Sequence, residues 1–331
     1  MTELRAARER LEAIPAVRLG HLPTPIDELT RLREELGIGA RIYAKRDDAL
    51  PFGFGGNKVR KLMLVAADAV GQGADTLITC GGVQSNHCRA TAATAARLAV
   101  QCHIVANGTR PERLSGNALL NDLYGAEVTY VATREERAPA MDRMASELRA
   151  AGRRPVVIPL GASTPLGAMA IALGVSEMIS QGIVPDVIMH ATSSGGTQAG
   201  LIAGCALYET RTRVIGVSAD APAAEIRRIV LDLVAGIESR LGLHAGALGA
   251  AQRCEVDDTM TGGGYGVPSE ASIEAQRLAA RCEAIVTDHW YTAKALAGLV
   301  VRARRGEFRD GTSVLFWHTG GQASVFAQDA R

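Results

Sequence analysis

Lysine is nearly absent from this chain. Only four of the 331 residues are lysine, which leaves 32 arginines among the 36 basic residues. Arginine keeps its proton in proteins, whereas lysine can lose one and become a neutral amine nucleophile. Amine chemistry is therefore confined to four positions, which are Lys45, Lys58, Lys61 and Lys294.

Net charge and long apolar runs are also lacking. The formal net charge is +1 at pH 7, and there is no basic stripe with interleaved aromatic residues, so no nucleic-acid partner is expected. No apolar run approaches the ~18 residues that span a bilayer. The opening residues, MTELRAARERLEAI, are charged and amphipathic, unlike the apolar core of a signal peptide. We therefore expect a protein that does not enter a membrane.

The six cysteines are scattered and form no C-x-x-C pair. This spacing is typical of reduced thiols in the cytoplasm, and it predicts neither a disulfide framework nor a zinc site. The seven histidines show no H-E-x-x-H or similar ligand spacing. We therefore expect a cytoplasmic protein that holds no metal ion.

Short apolar runs alternate with amphipathic helical segments along most of the chain. Strands are predicted at residues 76–80, 103–106, 127–131, 155–159, 186–192, 213–219 and 313–319. This alternation indicates an α/β protein with parallel strands and helices on both faces of the sheet. Breaks near Leu50 and Gly161 predict a smaller domain, residues 51–161, inserted into a larger one formed by residues 1–50 and 162–331.

Lys58 lies in the segment GFGGNKVRK, after several glycines and at the start of an apolar-periodic stretch. Glycines let a ligand approach the backbone closely. The dipole of a helix disfavours the charged form of a lysine in its first turn and lowers its pKa. Both features suit a lysine that forms a Schiff base with a carbonyl group. The alternative is an ordinary solvated surface lysine.

Ligands of parallel α/β sheets bind at the carboxyl ends of strands, and the loop CGGVQSNH falls at such a place. Ser85, Asn86 and His87 stand just before a predicted helix, where free backbone amides can hold a carboxylate. The alternative is a helix cap built from Ser85 or Asn86.

The loop SSGGTQAG also lies between a predicted strand and a helix. Its glycines permit a tight turn, and with its hydroxyl groups and the helix N-terminus it forms an anion cradle suited to one phosphate. The cradle residues are Ser193, Ser194, Gly195, Gly196 and Thr197. A dinucleotide site with Asp220 on a ribose is an alternative, but the glycines do not match G-x-G-x-x-G. A tight turn without a ligand is another.

A third loop, HTGG, places the hydroxyl of Thr319 at the end of a late strand. Tyr265, in TGGGYGVPS, and Tyr291, in DHWYTAK, stand in unusual settings, although a tyrosine more often packs its ring than performs chemistry. A lysine after glycines, a phosphate cradle and a late hydroxyl together match the needs of pyridoxal phosphate. This cofactor requires an amine for its aldehyde, an anion site for its phosphate and a partner for its pyridine nitrogen.

These segments resemble a known family. AKRDD, GFGGNKVRK, QSNH, SGGTQAG, GYGVP, DHWYTAK and HTGG occur in an order similar to that of the D-cysteine desulfhydrase and 1-aminocyclopropane-1-carboxylate deaminase family, and the likeness runs from residues 20–25 to the end of the chain. The resemblance implies the tryptophan-synthase-β-like fold, fold type II of pyridoxal-phosphate enzymes. That fold has two open, mainly parallel twisted sheets flanked by helices, with the smaller domain inserted into the larger. It also implies a homodimer.

The resemblance implies a role for each candidate residue. Lys58 would join the cofactor aldehyde, Asn86 would bond the oxygen on the cofactor ring, and Thr319 would face the pyridine nitrogen. Tyr291 would stand against the ring, with Tyr265 beside it in the substrate pocket. The substrate carboxylate would meet Ser85 in the loop that also holds His87. The phosphate would be held by Ser194, Gly195, Gly196 and Thr197.

Thr292, directly after the second tyrosine, separates two activities within the family. Deaminases that open the cyclopropane ring carry a glutamate there, where it can interact with the pyridine nitrogen. A neutral hydroxyl would make the cofactor ring a milder electron sink, which suffices for β-elimination. Thr292 therefore favours elimination, and the resemblance makes D-cysteine, converted to pyruvate, ammonia and hydrogen sulfide, the first choice of substrate for such a lyase. The freed amine of Lys58, or Tyr291, would remove the Cα proton.

Other functions stay open at this point. L-Cysteate, with sulfite as leaving group, is the second candidate; its sulfonate would need extra hydrogen-bond donors or a cation, and Arg89, His87 and His289 are the open candidates for that contact. 1-Aminocyclopropane-1-carboxylate deamination comes next. From other classes, an NAD-dependent dehydrogenase built on the strand around Val187 and on Asp220, and a catalytically silent ligand-binding relative of the fold, are the alternatives.

Overall fold

A computed structural model describes residues 3–327, and within this range ten strands form two separate sheets. The first sheet has six strands in the order β1-β2-β10-β7-β8-β9. Every neighbouring pair is parallel except β1 and β2, which are antiparallel. Its strands are β1 (Ile26–Glu28), β2 (Arg41–Arg46), β7 (Val187–Thr192), β8 (Arg213–Ser218), β9 (Cys254–Asp257) and β10 (Ser313–His318).

The second sheet has four strands, all parallel, in the order β5-β4-β3-β6. All of them come from the middle of the chain, between β2 and β7. They are β3 (Thr76–Gly82), β4 (Gln101–Asn107), β5 (Glu127–Val131) and β6 (Pro155–Ile158).

Helices connect successive strands and cover both sheets. In chain order they are α1 (Glu3–Glu12), α2 (Thr30–Leu36), α3 (Asn57–Gly71), α4 (Asn86–Leu98), α5 (Gly116–Leu123), α6 (Arg137–Ala150), α7 (Pro165–Ser180), α8 (Gly196–Leu207), α9 (Ala223–Arg240), α10 (Ala250–Arg253), α11 (Glu270–Glu283), α12 (Thr292–Arg304) and α13 (Gln322–Val325). The predicted α/β architecture is therefore confirmed, with strand limits within a few residues of those expected. β1, β2 and β9 had not been predicted.

Helices α7 and α8 pack closely against each other because small residues lie where they meet. Every residue of α8 is buried. A Cβ atom added to Gly200 would lie 2.2 Å from the carbonyl oxygen of Ala168, and one on Gly204 would lie 2.7 Å from Val175. Such contacts exclude any side chain at these two positions. The close approach fixes where α8 begins, and the candidate phosphate cradle is at that end.

The two sheets agree with an inserted smaller domain, whose predicted limits we retain as a proposal. Residues 1, 2 and 328–331 of the larger domain lie outside the described residues. Helix α3 packs against α7 as well as α4. It therefore joins the two predicted domains.

A buried cluster of charged side chains fixes α3 on the first sheet. Arg60 of α3 donates to Asp47 and to Glu177 of α7, each at 2.8 Å. Lys45 of β2 donates to Glu177 at 2.6 Å, and the indole of Trp317 donates to Asp47 at 2.8 Å. Buried charges are tolerated when each is paired and hydrogen-bonded. The cluster therefore sets the position of α3, two residues beyond Lys58.

Removing one member of this cluster should destabilise the fold. We expect Glu177→Gln to lower the free energy of unfolding by about 3–5 kcal/mol, because two buried cations lose their carboxylate. Glu274→Gln, which breaks the exposed pair with Arg304, should cost at most about 1 kcal/mol. Urea denaturation measures the free energy of unfolding of both variants. Similar decreases would show that the buried cluster stabilises the fold no more than the exposed ion pair does.

The same cluster sets an acid limit to stability. Burial raises the pKa of Glu177, but its hydrogen bonds and ion pairs with Arg60 and Lys45 outweigh this and lower it from 4.5 to about 2. A carboxyl whose pKa is lower in the folded state stabilises the fold above its unfolded pKa. That stability is lost as the pH falls from about 4.5 through 2, and Glu177→Gln should lack this part of the acid transition.

Candidate active site

One cavity lies where the carboxyl ends of β3, β7 and β10 meet the first turns of α3, α4 and α8. It is lined by Asn57, Lys58, Ser85, Asn86, His87, Leu160, Gly161, Ala191, Thr192, Ser193, Ser194, Gly195, Thr197, Asp288, Tyr291, Thr319 and Gly320. Every residue that the sequence predicted for the site is among them, except Gly196, Tyr265 and Thr292. Loops from 27 residues apart (Lys58 to Ser85) to 261 residues apart (Lys58 to Thr319) thus form a single site.

Lys58 stands in the first turn of α3, as its glycines indicated. A Cβ atom added to Gly56, which has φ of 100°, would lie 2.9 Å from the carbonyl oxygen of Thr319. The backbone N–H of Asn57 donates to that same oxygen at 3.1 Å, and its side chain donates to the hydroxyl of Thr197 at 2.7 Å. Asn57 therefore joins the lysine loop to the other two loops. Burial lowers the pKa of Lys58 to about 8.

Lys61, one turn further along α3, was missed by the sequence reasoning. Its ammonium group donates to the carbonyl oxygen of Gly161 and to the hydroxyl of Ser163, each at 3.2 Å. A Cβ atom on Gly196 would lie 2.8 Å from its Nζ atom. Burial and the charge of Lys58 lower the pKa of Lys61 well below its usual value. Its spacing of three residues from Lys58 was the available clue, since such positions share a helix face.

The first turn of α8 forms a small polar cradle beside Lys61. Gly195 adopts the left-handed conformation, with φ of 73°, and a Cβ atom there would lie 2.8 Å from Ile229. The hydroxyl groups of Ser163 and Ser194 lie 2.7 Å apart at its edge. Backbone N–H groups in a first helical turn lack partners within the helix. The cradle therefore presents amides, hydroxyls and an amine to a small anion.

The QSNH loop serves both purposes that the sequence left open. The hydroxyl of Ser85 accepts from the backbone N–H of Cys88 at 3.2 Å, so Ser85 does cap α4. It lines the cavity as well. The side-chain oxygen of Asn86 accepts from Asn117 at 2.9 Å, which leaves the NH₂ group of Asn86 as a donor toward the cavity.

His87 is neutral and its protonated nitrogen can be assigned. The hydroxyl of Thr79 donates to the carbonyl oxygen of Ile158 at 2.8 Å, so it must accept from Nε2 of His87, 2.7 Å away. The Nδ1 atom is buried without a partner among the described residues. Burial and the charges of Lys58 and Lys61 hold the pKa of His87 well below 6.5. The neutral ring therefore keeps a lone pair on Nδ1, and His87 is one of the residues that line the cavity.

The two predicted tyrosines are in contact. The hydroxyl of Tyr291 donates to that of Tyr265 at 2.9 Å, and the rings meet edge to face. Burial raises the pKa of Tyr265 to about 12 and that of Tyr291 well above 10. Tyr265 lies on an adjoining outer cavity, where the guanidinium of Arg134 stands 5.0 Å above its ring. Both phenols are therefore neutral donors near pH 7.

Thr292 does not stand where the sequence argument placed it. Its hydroxyl donates to the carboxylate of Asp288 at 2.7 Å and accepts from the backbone N–H of the same residue. It is buried and does not line the cavity, whereas Asp288 and Thr319 do. Burial raises the pKa of Asp288. The deaminase comparison therefore cannot rest on a Thr292 hydroxyl facing the site, and Asp288 is a second residue that the sequence reasoning missed.

Asp220, the candidate for ribose binding, is already occupied. It accepts from the hydroxyl of Ser193 at 3.1 Å and pairs with Arg134 at 3.2 Å. These contacts disfavour a dinucleotide site there. Among residues 3–327, no group of three or more His, Cys, Asp or Glu side chains could hold a metal ion. None of the helices described combines the length and the apolar character that a membrane crossing requires.

Comparisons with known proteins identify the family to which the chain belongs. A model of the pyridoxal-phosphate dependent enzyme family matches residues 17–320. The D-cysteine desulfhydrase of Klebsiella pneumoniae subsp. pneumoniae is 38% identical over 327 residues, which cover 96% of this chain and 98% of that protein. That of Salmonella choleraesuis is also 38% identical, over 325 residues that cover 96% and 97%.

Solved structures agree. The crystal structure of an ACC deaminase homologue has a TM-score of 0.89 at 34% identity and covers 97% of this chain and 96% of its own. A fungal L-serine ammonia-lyase from Rhizomucor miehei shares the fold, with a TM-score of 0.65 at 20% identity and coverage of 91% and 94%. The fold type II architecture and the family resemblance are thus confirmed. This chain belongs to the pyridoxal-phosphate dependent enzyme family.

Proposed function

We propose that this enzyme binds pyridoxal phosphate at Lys58 and eliminates hydrogen sulfide from D-cysteine. D-Cysteine and water would give pyruvate, ammonia and hydrogen sulfide. The observation that carries the proposal is the placement of an amine with a lowered pKa in one cavity with an anion cradle. The full-length similarity to D-cysteine desulfhydrases supports the choice of substrate.

The cavity residues suit each part of this cofactor. Lys58 would hold the aldehyde, and the first turn of α8 with Lys61 and Ser194 would hold the phosphate. The free NH₂ group of Asn86 suits the ring oxygen, and Thr319 offers a hydroxyl to the pyridine nitrogen. When bound, the cofactor supplies an electron sink that makes the Cα–H bond of the substrate acidic.

The pKa values of Lys58 and of the two tyrosines indicate which group accepts the Cα proton and which donates a proton to the departing sulfur. Burial lowers the pKa of Lys58 to about 8, so its amine is neutral far more often near pH 7 than that of an exposed lysine, and the released amine would accept the Cα proton. Burial raises the pKa of Tyr291 well above 10, which disfavours the phenolate that a base would need, so we assign the base to Lys58. The proton of the Tyr265 hydroxyl is free, since Tyr291 donates to that oxygen, and it would go to the departing sulfur.

The charges around the cavity favour a thiol over a sulfonate. Arg89 is buried and donates to the carbonyl oxygen of Gly55 and to the side chain of Asn117. His87 is neutral, and burial also lowers the pKa of His289. None of the three candidates therefore provides a free cation for the sulfonate of L-cysteate.

We further propose a homodimer in the cytoplasm. Leu119 and Leu123 of α5 are exposed, and so is Phe326, which follows α13 where that helix packs on α5. Exposed apolar side chains of this kind are suited to burial by a second subunit. All six cysteines are free, which suits a reducing compartment.

Substrate turnover tests the proposed reaction. We expect the purified enzyme to release equal amounts of pyruvate and sulfide from D-cysteine, and little sulfite from L-cysteate. Lys58→Ala and Lys58→Arg should both lose this activity by at least about 10³-fold, because neither can form the covalent linkage. Coupled assays for pyruvate and sulfide measure it. Faster release of sulfite than of sulfide would assign a sulfonate substrate instead.

The cradle at α8 can be tested by filling it. In Gly196→Ala, the new Cβ atom would lie 2.7 Å from the hydroxyl of Ser163 and 2.8 Å from Nζ of Lys61. We expect Kd for pyridoxal phosphate to rise about tenfold or more, which is about 1.4 kcal/mol, while pyridoxal without its phosphate binds as before. Gly71→Ala is the control, since nothing lies within 4 Å of its Cβ position. An equal rise in Kd for pyridoxal phosphate and for pyridoxal would show that the phosphate does not bind at this turn.

The lowered pKa of Lys58 predicts when the cofactor attaches. After removal of bound cofactor, the rate of attachment should reach half its maximum near pH 8, because only the neutral amine attacks the aldehyde. Absorbance on mixing gives the rate, and borohydride trapping with peptide mapping identifies the residue. Nα-acetyl-lysine in the same buffers is the control, with its transition near the usual ~10.4. The assignment of Lys58 would be contradicted if the transition of the enzyme fell near that of the control, or if the label were found on another lysine.

A further inference from the structure

Lys294 is a buried lysine that the reaction does not use. It lies in the first turn of α12 and its side chain is fully buried. Its ammonium group donates to three backbone carbonyl oxygens, those of Ala219 at 2.8 Å, Thr261 at 2.8 Å and Gly264 at 2.7 Å. Among residues 3–327 no carboxylate lies within ion-pair distance of it, in contrast to Lys45, which pairs with Glu177.

The three carbonyl groups come from two segments that are far apart in the chain. Ala219 directly follows β8, and its neighbour Asp220 pairs with Arg134. Thr261 and Gly264 belong to the loop between β9 and α11, in which Gly264 directly precedes Tyr265. Lys294 therefore ties this loop to α12, which begins one residue after Tyr291.

The chemistry of this site requires a lysine. A primary ammonium group carries three donor hydrogens on one compact atom, which matches three carbonyl oxygens converging on a point. The planar guanidinium of arginine spreads its donors in a fork and fits such a point poorly. Burying a charge without a counter-ion is costly, and the hydrogen bonds of the carbonyl groups offset that cost. In a chain that uses arginine almost everywhere else, this lysine has a specific task.

The loop that Lys294 holds has little conformational preference of its own. Gly262, Gly264 and Gly266 all have positive φ, and Gly263 lies between the first two. Glycine loses more backbone entropy on ordering than any other residue. The position of the Tyr265 hydroxyl therefore depends on contacts from outside the loop, and Lys294 makes two of them.

We propose that Lys294 is a positioning residue that holds the Tyr265 loop so that the two tyrosine hydroxyls meet at the cavity. It acts on the reaction through Tyr265 and touches neither substrate nor cofactor. This inference rests on the proposed function, since it assigns the Tyr265–Tyr291 pair the delivery of a proton to the departing sulfur.

The test replaces Lys294 with methionine, which keeps the length and burial of the side chain and removes its donors. In Lys294→Met we expect hydrogen exchange at residues 259–267 to accelerate about tenfold or more, because the loop loses two anchors. The kcat for D-cysteine should fall about 10–100-fold, within the range for losing a positioned proton donor, while KM changes less than about threefold. The cofactor should still bind, since Lys58, Asn86 and Thr319 lie on other elements.

Lys45→Met is the matched control, because it also removes a buried ammonium group. It should lower the free energy of unfolding and leave the exchange at residues 259–267 unchanged, because its partner Glu177 lies on α7, away from that loop. If Lys294→Met does not fold, Lys294→Gln, which keeps an amide with two donor hydrogens, allows the same comparison.

Two results would overturn the proposal. Unchanged exchange at residues 259–267 in the Lys294 variant would show that this lysine does not hold the loop. Faster exchange with an unchanged kcat would show that the hold has no bearing on the reaction. Failure of the proposed function gives a different result, because the wild-type enzyme would then release no sulfide from D-cysteine while the exchange comparison still reports on Lys294.

Discussion

The site depends on the hydrogen bonds that Asn57 makes at the start of α3. Its backbone N–H group binds the turn after β10 and its side-chain amide binds the first turn of α8, so one residue joins three loops next to Lys58. Gly56 permits this because any side chain there would meet the carbonyl oxygen of Thr319. Arg60 then fixes the rest of α3 through Asp47 and Glu177. The amine of Lys58 is thereby held opposite the anion cradle.

The scarcity of lysine and the architecture of the site are connected. Lys45, Lys61 and Lys294 have no exposed side-chain surface, and Lys58 faces the cavity. Each has a different environment: Lys45 binds a carboxylate, Lys61 a cradle for an anion and Lys294 three backbone carbonyl groups. The exposed positive charge falls to arginine, which cannot supply an amine. The few amines are therefore kept where a compact donor or a nucleophile is required.

Much of the fold was predictable because parallel strands buried on both faces leave a strong apolar pattern. β7 is buried along its whole length, and its limits were predicted within one residue. β1 and β9 were missed because they are short and lie at the sheet edges, where burial is partial and the pattern is weak. The prediction for Thr292 was wrong because its position next to Tyr291 in the sequence does not show where its side chain points. In the structure its hydroxyl donates to Asp288.

The sequence by itself determined the α/β class, the position of Lys58 at a helix start and the loops that supply the site, since glycines and apolar runs act locally. Only the tertiary structure decided which groups meet there. Lys61 and Lys294 gained their roles from segments distant in the chain, and the pKa values of Lys58 and Tyr291 follow from burial. Burial and long-range hydrogen bonds are properties of the packed chain, and no local pattern specifies them.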